Sequence, residues 1–137
     1  MRMQRKVLFL CTGNSCRSQM AEALVNAKLG KEWEAFSAGT KPAGYVHPKA
    51  LAALAEIGIH HQGRSKSVEE FRQDQFDLVI TVCDSAAEEC PLWLGKGKQI
   101  HHSFPDPAKS DDTDDFRRVR DAIEEHILPL LRNLTPS

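Results

Sequence analysis

The chain has 137 residues, 41% hydrophobic and 27% charged, with a net charge of −1. That is enough for a single domain, residues 1–137, with a real core and an ordinary globular composition. No apolar run approaches the roughly 20 residues of a membrane span, and the absence of a basic stripe argues against nucleic-acid binding.

The start, Met1-Arg2-Met3-Gln4-Arg5-Lys6, is basic. The apolar run behind it, Val7 to Leu10, is too short for a signal-peptide core, which predicts a cytoplasmic protein. That run is bounded by turn residues and reads as a strand buried on both faces. Met20, Ala21, Ala23, Leu24 and Ala27 then form an apolar stripe on a helix from about Ser18 to Leu29, with Gly30 as its stop. Between strand and helix lie Cys11, Thr12, Gly13, Asn14, Ser15, Cys16, Arg17 and Ser18.

That order makes an oxyanion cradle with a nucleophile at its base. A helix start has unpaired N–H groups and partial positive charge, so an anion belongs there. Gly13 and Asn14 tolerate left-handed backbone, which lets successive N–H groups turn inward. Arg17 can grip two oxygens of a tetrahedral anion. The same N–H groups favour a thiolate, so Cys11 is expected to ionise below the free-thiol value of about 8.5, with Ser18 donating to its sulfur. A nucleotide P-loop fits worse, because that motif needs a second Gly and a Lys before the Ser.

Trp33 to Ala38 reads as a second strand, left through Gly39-Thr40 and a Lys41-Pro42-Ala43-Gly44 turn. Pro48 opens a helix through Ala50, Leu51, Leu54 and Ile57, with Gly58 as its stop. His60 to Lys66 is a polar loop, and Ser67 with Glu70 reads as a capping box on a short helix. Phe76 to Val82 is a third strand that delivers Cys83. Ser85 to Cys90 has another capping box and stops at Pro91; Gly95-Lys96-Gly97 is only half of a dinucleotide fingerprint. Gln99 to Ser103 is a weak fourth strand, and the two prolines of Phe104-Pro105-Asp106-Pro107 forbid helix. The last helix, about Asp114 to Leu134, has the stripe Phe116, Val119, Ile123, Ile127, Leu130 and Leu134, with a kink expected from Pro129. Asp111, Asp112, Asp114 and Asp115 at its start read as capping rather than metal binding. Strands alternating with helices predict an α/β fold: a parallel sheet flanked by helices, strand one in its middle.

The four cysteines, Cys11, Cys16, Cys83 and Cys90, have spacings that fit zinc poorly, and the doublets His60-His61 and His101-His102 read as surface residues. No metal and no cofactor are expected.

Cys11-x5-Arg17 followed by Ser18 strongly resembles the phosphate loop of the low-molecular-weight protein tyrosine phosphatase superfamily. The fuller string Leu10-Cys-Thr-Gly-Asn-Ser-Cys-Arg-Ser-Gln-Met-Ala-Glu-Ala23 is more similar to one branch, the thioredoxin-coupled arsenate reductases. The resemblance implies a four-stranded sheet of order 2-1-3-4, with the ligand beyond the carboxyl ends of strands one and three, where Cys11 and Cys83 sit side by side. Asp106, before Pro107, matches the superfamily's general acid; the alternative is plain turn chemistry. The phosphatases' aromatic residues after Asp-Pro are replaced by Ala108 and Lys109. Hydrolysis needs no thiol pair, whereas reduction must draw two electrons from somewhere, and Cys83 with Cys90 resembles the reductases' pair.

The implied cycle starts with Cys11 attacking arsenate while Asp106 protonates the departing oxygen. Cys83 then attacks Cys11, leaving a transient Cys11–Cys83 disulfide, and Cys90 moves it to Cys83–Cys90 for thioredoxin to reduce. Cys16 is assigned to packing. Phosphate and sulfate are the expected arsenate analogues, and a monomer is expected. A phosphatase, or a sensing module, is the alternative. Some relatives hold potassium near the loop with residues matching Asn14, Glu22 and Ser37 plus an acid; here Lys66 stands at the acid's place. A helix over Ser85 to Cys90 would set Cys83 and Cys90 roughly 10 Å apart, so closing that disulfide would require it to unwind.

Overall fold

A computed structural model of the chain describes residues 4–84 and 98–134. The expected 85–90 helix, Pro91, the 95–97 glycine pair and Cys90 lie outside the described residues. The described elements are β1 (Arg5–Cys11), α1 (Arg17–Lys28), β2 (Trp33–Gly39), α2 (Pro48–Ala55), β3 (Leu78–Thr81), β4 (Lys98–His101) and α3 (Thr113–Leu134).

All strand pairs are parallel and the order is β2-β1-β3-β4, as the resemblance implied. β1 is central because Val7 to Leu10 carries apolar groups on both faces; all four residues are fully buried. Its register sets Leu10 beside Thr81 on one side and Cys11 beside Gly39 on the other. Odd residues of β2 face the helices: Ser37 bonds Glu22 of α1, and the Trp33 indole N–H donates to the Leu131 carbonyl of α3. Even residues face the opposite side, where Phe36 packs edge-on against Phe71 and Phe76. Helices α1, α2 and α3 pack on one another, so one contiguous core fills the helical side.

Local chemistry explains the element ends and corrects several expectations. His47 rather than Pro48 alone starts α2: its Nδ1 accepts the Lys49 N–H at 3.1 Å. Ser67 caps a short 3₁₀ turn, Val68–Phe71, through the Glu69 N–H, but Glu70 is taken by the Arg64 guanidinium and the reciprocal half of the capping box does not form. Asp112 caps α3 through the Asp114 N–H, while Asp111 pairs with Lys49. The stripe of α3 holds through Ile127 and then rotates. Leu128 and Leu131 are buried, whereas Leu130 and Leu134 are only partly covered, since the spacing of four from Ile123 through Ile127 leads to Leu131.

Gly39 closes the fold onto the site. A Cβ there would lie 2.5 Å from the Thr12 carbonyl oxygen and 3.1 Å from the Asn14 Cβ, and the first of these is backbone. Gly39→Ala is therefore expected to lower unfolding free energy by about 1–3 kcal/mol, as overpacking does, measured by urea denaturation. An unchanged midpoint would show that the loop is not held against β2.

Candidate active site

The turn from β1 into α1 is built by turning its carbonyls outward. Thr40, Lys41, Ala43 and His47 donate their N–H groups to the carbonyls of Cys11, Thr12, Gly13 and Ser15 at 3.1, 2.9, 2.8 and 3.0 Å. The Ser65 hydroxyl adds a second bond to Gly13, and Gln19 Nε2 donates to the Asn14 carbonyl at 3.2 Å. In a trans peptide the next N–H points opposite to the carbonyl. With the carbonyls engaged outside, the N–H groups of residues 12–16 face inward, and that of Thr12 bonds the Cys11 sulfur.

Asn14 alone in this loop takes positive φ, at 50°, so the left-handed turn expected of Gly13 is not used. A side chain at Gly13 would make only ordinary contact with Ala43. The Asn14 amide, fully buried, holds the shape: Nδ2 donates to Ser18 Oγ at 2.8 Å, and Oδ1 accepts from the Lys66 N–H and from Gln19 Nε2. Ser18 is thus turned to Asn14, and its described bonds do not include Cys11.

Arg17 begins α1 and reaches across the cradle. Its Nη1 donates to the Phe104 carbonyl at 3.1 Å, its Nη2 lies 3.8 Å from Asp106 Oδ2, and its buried Nε–H has no partner among the described residues. Asp106 serves the turn and also borders the site. Its Oδ1 caps the turn at Ala108 N–H, and its other oxygen faces the site. Two hollows meet here. One of about 280 Å³ opens above Cys11 and is walled by Tyr45, His47 and Ala108. The other, about 640 Å³, opens on Cys83, Ser103 and Lys109; Thr12, Arg17 and Asp106 line both.

Cys83 lies against the nucleophile's position. Thr12 Oγ1 is 3.4 Å from its sulfur, and its thiol is near enough to perturb that of Cys11. Both cysteines are buried. That neighbour acts against the more acidic Cys11 expected of the cradle. Cys83 and then burial push the Cys11 thiol up, while Arg17 and the Thr12 N–H pull it back only in part. Burial also pushes Cys16 up, to about 11, and Cys16 packs into the core.

Under the loop lies a second layer of charge that the sequence reading only partly anticipated. The Lys66 ammonium stands 3.0 Å from the Arg64 carbonyl, 3.5 Å from Ser37 Oγ and 3.8 Å from Glu22 Oε1. Burial lowers its pKa and the Glu22 carboxylate opposes that. These oxygens are the ones that would hold a monovalent cation, and an ammonium already stands among them, so the residues do not fit a resident potassium ion. His61 is no surface residue. Its ring is mostly buried, 2.7 Å from Gln19 Oε1, and burial lowers its pKa. Among the described residues no group of three or more His, Cys, Asp or Glu is placed to hold a metal, and no helix is long and apolar enough to cross a membrane.

The chain matches the family described as low molecular weight phosphotyrosine protein phosphatase over residues 6–137. It belongs to that family. Within it, an arsenate reductase of Halalkalibacterium halodurans is 45% identical over 91% of this chain and 94% of its own length. A solved structure of an arsenate reductase in the phosphate binding state superposes with a TM-score of 0.85 at 31% identity, covering 96% of this chain and all of that one. The arsenate reductase of Archaeoglobus fulgidus gives a TM-score of 0.78 at 38% identity, over 90% of this chain and 97% of its own.

Lys66→Met leaves the Glu22 carboxylate without its ammonium. The variant is expected to lose about 1–3 kcal/mol of stability and to regain part of it in potassium chloride but not in choline chloride. Melting curves identical to the parent's in both salts would show that Lys66 is not the loop's counter-charge.

Proposed function

We propose that the chain is a cytoplasmic arsenate reductase that works by a three-thiol relay, as a monomer, with thioredoxin as its reductant. The observation that carries this reading is a second buried thiol, Cys83, placed beside the Cys11–Thr12 start of an oxyanion cradle. A hydrolase has no use for a second buried thiol against its nucleophile, whereas a disulfide-forming reductase requires one. The names of the similar proteins support the substrate.

In this reading the inward N–H groups and Arg17 bind three oxygens of arsenate, and phosphate or sulfate competes for the same donors. Cys11 thiolate attacks arsenic as Asp106 gives a proton to the departing oxygen, which leaves as water. Cys83 thiolate then attacks Cys11 Sγ. The S–As bond breaks with its electron pair staying on arsenic, so As(V) leaves as As(III) arsenite and a Cys11–Cys83 disulfide remains. Cys90 attacks Cys83, frees Cys11, and the Cys83–Cys90 disulfide passes to the thioredoxin dithiol. Two thiols are oxidised for each arsenic reduced.

Slow phosphate monoester hydrolysis is the second reading. Ala108 leaves the wall after Asp106 open, but Tyr45, which the sequence reading did not weigh, lines the same hollow and offers an aryl group one face.

Arsenite formation and aryl phosphate hydrolysis, each followed with and without thioredoxin, thioredoxin reductase and NADPH, separate the readings. Sustained arsenite production is expected only with thioredoxin, and Cys16→Ser should retain it. Multiple turnovers supported by glutathione and glutaredoxin alone would rule the pathway out. Arg17→Lys keeps the charge but loses the fork, and kcat/KM should fall about 10²-fold or more; activity within a few-fold of the parent would remove Arg17 from the cradle.

A further inference from the structure

The cradle fixes Cys11, but something must also fix Cys83, because a thiol that attacks a sulfur must approach along the bond it breaks. Ladder bonds reach Val82: its N–H donates to the Leu10 carbonyl at 2.9 Å, and its carbonyl accepts the Phe104 N–H at 3.0 Å. Thr12 Oγ1 touches the Cys83 sulfur from the β1 side. On the β4 side the imidazole of His101 bonds residues on either side of Cys83. Nδ1 lies 2.7 Å from Thr81 Oγ1 and Nε2 lies 2.9 Å from Asp84 Oδ1.

We propose that His101 is a positioning residue for the Cys83 thiol, acting through this Thr81–His101–Asp84 bridge. The proposal rests on the reading that Cys83 attacks Cys11. Thr81, buried and paired in register with His101, is the fixed anchor. Asp84 is the exposed end: its side chain is 82% exposed, and among the described residues the imidazole holds it. With Cys83 two residues beyond the one and directly before the other, the bridge sets the backbone on both sides of the thiol. A neutral imidazole holds both contacts, accepting from the Thr81 hydroxyl and donating to Asp84. A protonated one donates to both, so the bridge survives either charge state. His101 lines neither hollow, and its loss should leave oxyanion binding untouched.

The test is single-turnover arsenite release from reduced protein in excess over arsenate, without thioredoxin, alongside phosphate affinity measured by calorimetry. His101→Asn keeps an amide near Nδ1 and loses the Asp84 arm. His101→Gln places an amide nitrogen near Nε2 and can donate to Asp84. His101→Asn and Asp84→Ala should each slow release about tenfold or more, the scale of a misplaced reacting group. In His101→Asn phosphate affinity should stay within about twofold, and His101→Gln should recover most of the rate. Parental rates in both His101→Asn and Asp84→Ala overturn the proposal, as does a loss of phosphate affinity equal to the loss of rate. Cys83→Ser in the same assay separates the two levels. Its inactivity beside an unaffected His101→Asn refutes only the positioning role, whereas parental release from Cys83→Ser refutes the relay itself.

Discussion

The outward pairing of the loop carbonyls is the constraint on which the site depends. Inward N–H groups around an anion repel no one only if their own carbonyls are satisfied elsewhere, because a buried unpaired carbonyl costs about 1–3 kcal/mol. Here the segment from Thr40 to His47 supplies four N–H groups to that purpose, and Ser65 and Gln19 add side-chain donors. The same segment begins where β2 ends and finishes as the cap of α2. The anion loop is therefore held by the central strand's neighbour and by the next helix, and it is rigid before any anion arrives. Preorganised donors of this kind cost no reorganisation during the reaction.

Below that lattice, charge is arranged to hold one conformation. Asn14 takes the strained positive φ, and its amide is bound on both atoms, to Ser18 on one side and to Lys66 and Gln19 on the other. Glu22 would be an expensive buried carboxylate alone, but Ser37 donates to it and Lys66 and His61 stand beside it. At the surface of the cradle two demands conflict. A nucleophile wants a low pKa, and a relay wants a second thiol in contact. Cys83 raises Cys11, and Arg17 opposes the rise. In the proposed relay, closeness of the two thiols serves the step in which sulfur attacks sulfur.

The parts of this arrangement that are local could be read from residue order. Val7 to Leu10, the loop and the apolar stripe after Arg17 define the strand–loop–helix unit within one short stretch, and the sheet order follows from the family resemblance they carry. The loop's partners could not be read, because they come from register. Nothing in Thr40, Lys41 or Ala43 marks them as donors until β2 is laid beside β1. Gln19 and Ser18, polar residues fully buried in α1, belong to that hidden network. The influence of Cys83 on Cys11 could not be read either, because Cys83 is 72 positions away in sequence. Asn14 rather than Gly13 takes the left-handed turn, since only an amide can both adopt it and bind its surroundings.

The central claim is that Cys11 and Cys83 form the first disulfide of the cycle, and trapping it is the most direct measurement. Reduced Cys90→Ser protein would be mixed with arsenate in the absence of thioredoxin, quenched with acid, alkylated and digested for mass spectrometry. The account predicts one Cys11–Cys83 disulfide per molecule, with one arsenite released and Cys16 alkylated. Release of arsenite with Cys11 and Cys83 both recovered as alkylated thiols, or with Cys11 joined to Cys16, would contradict it.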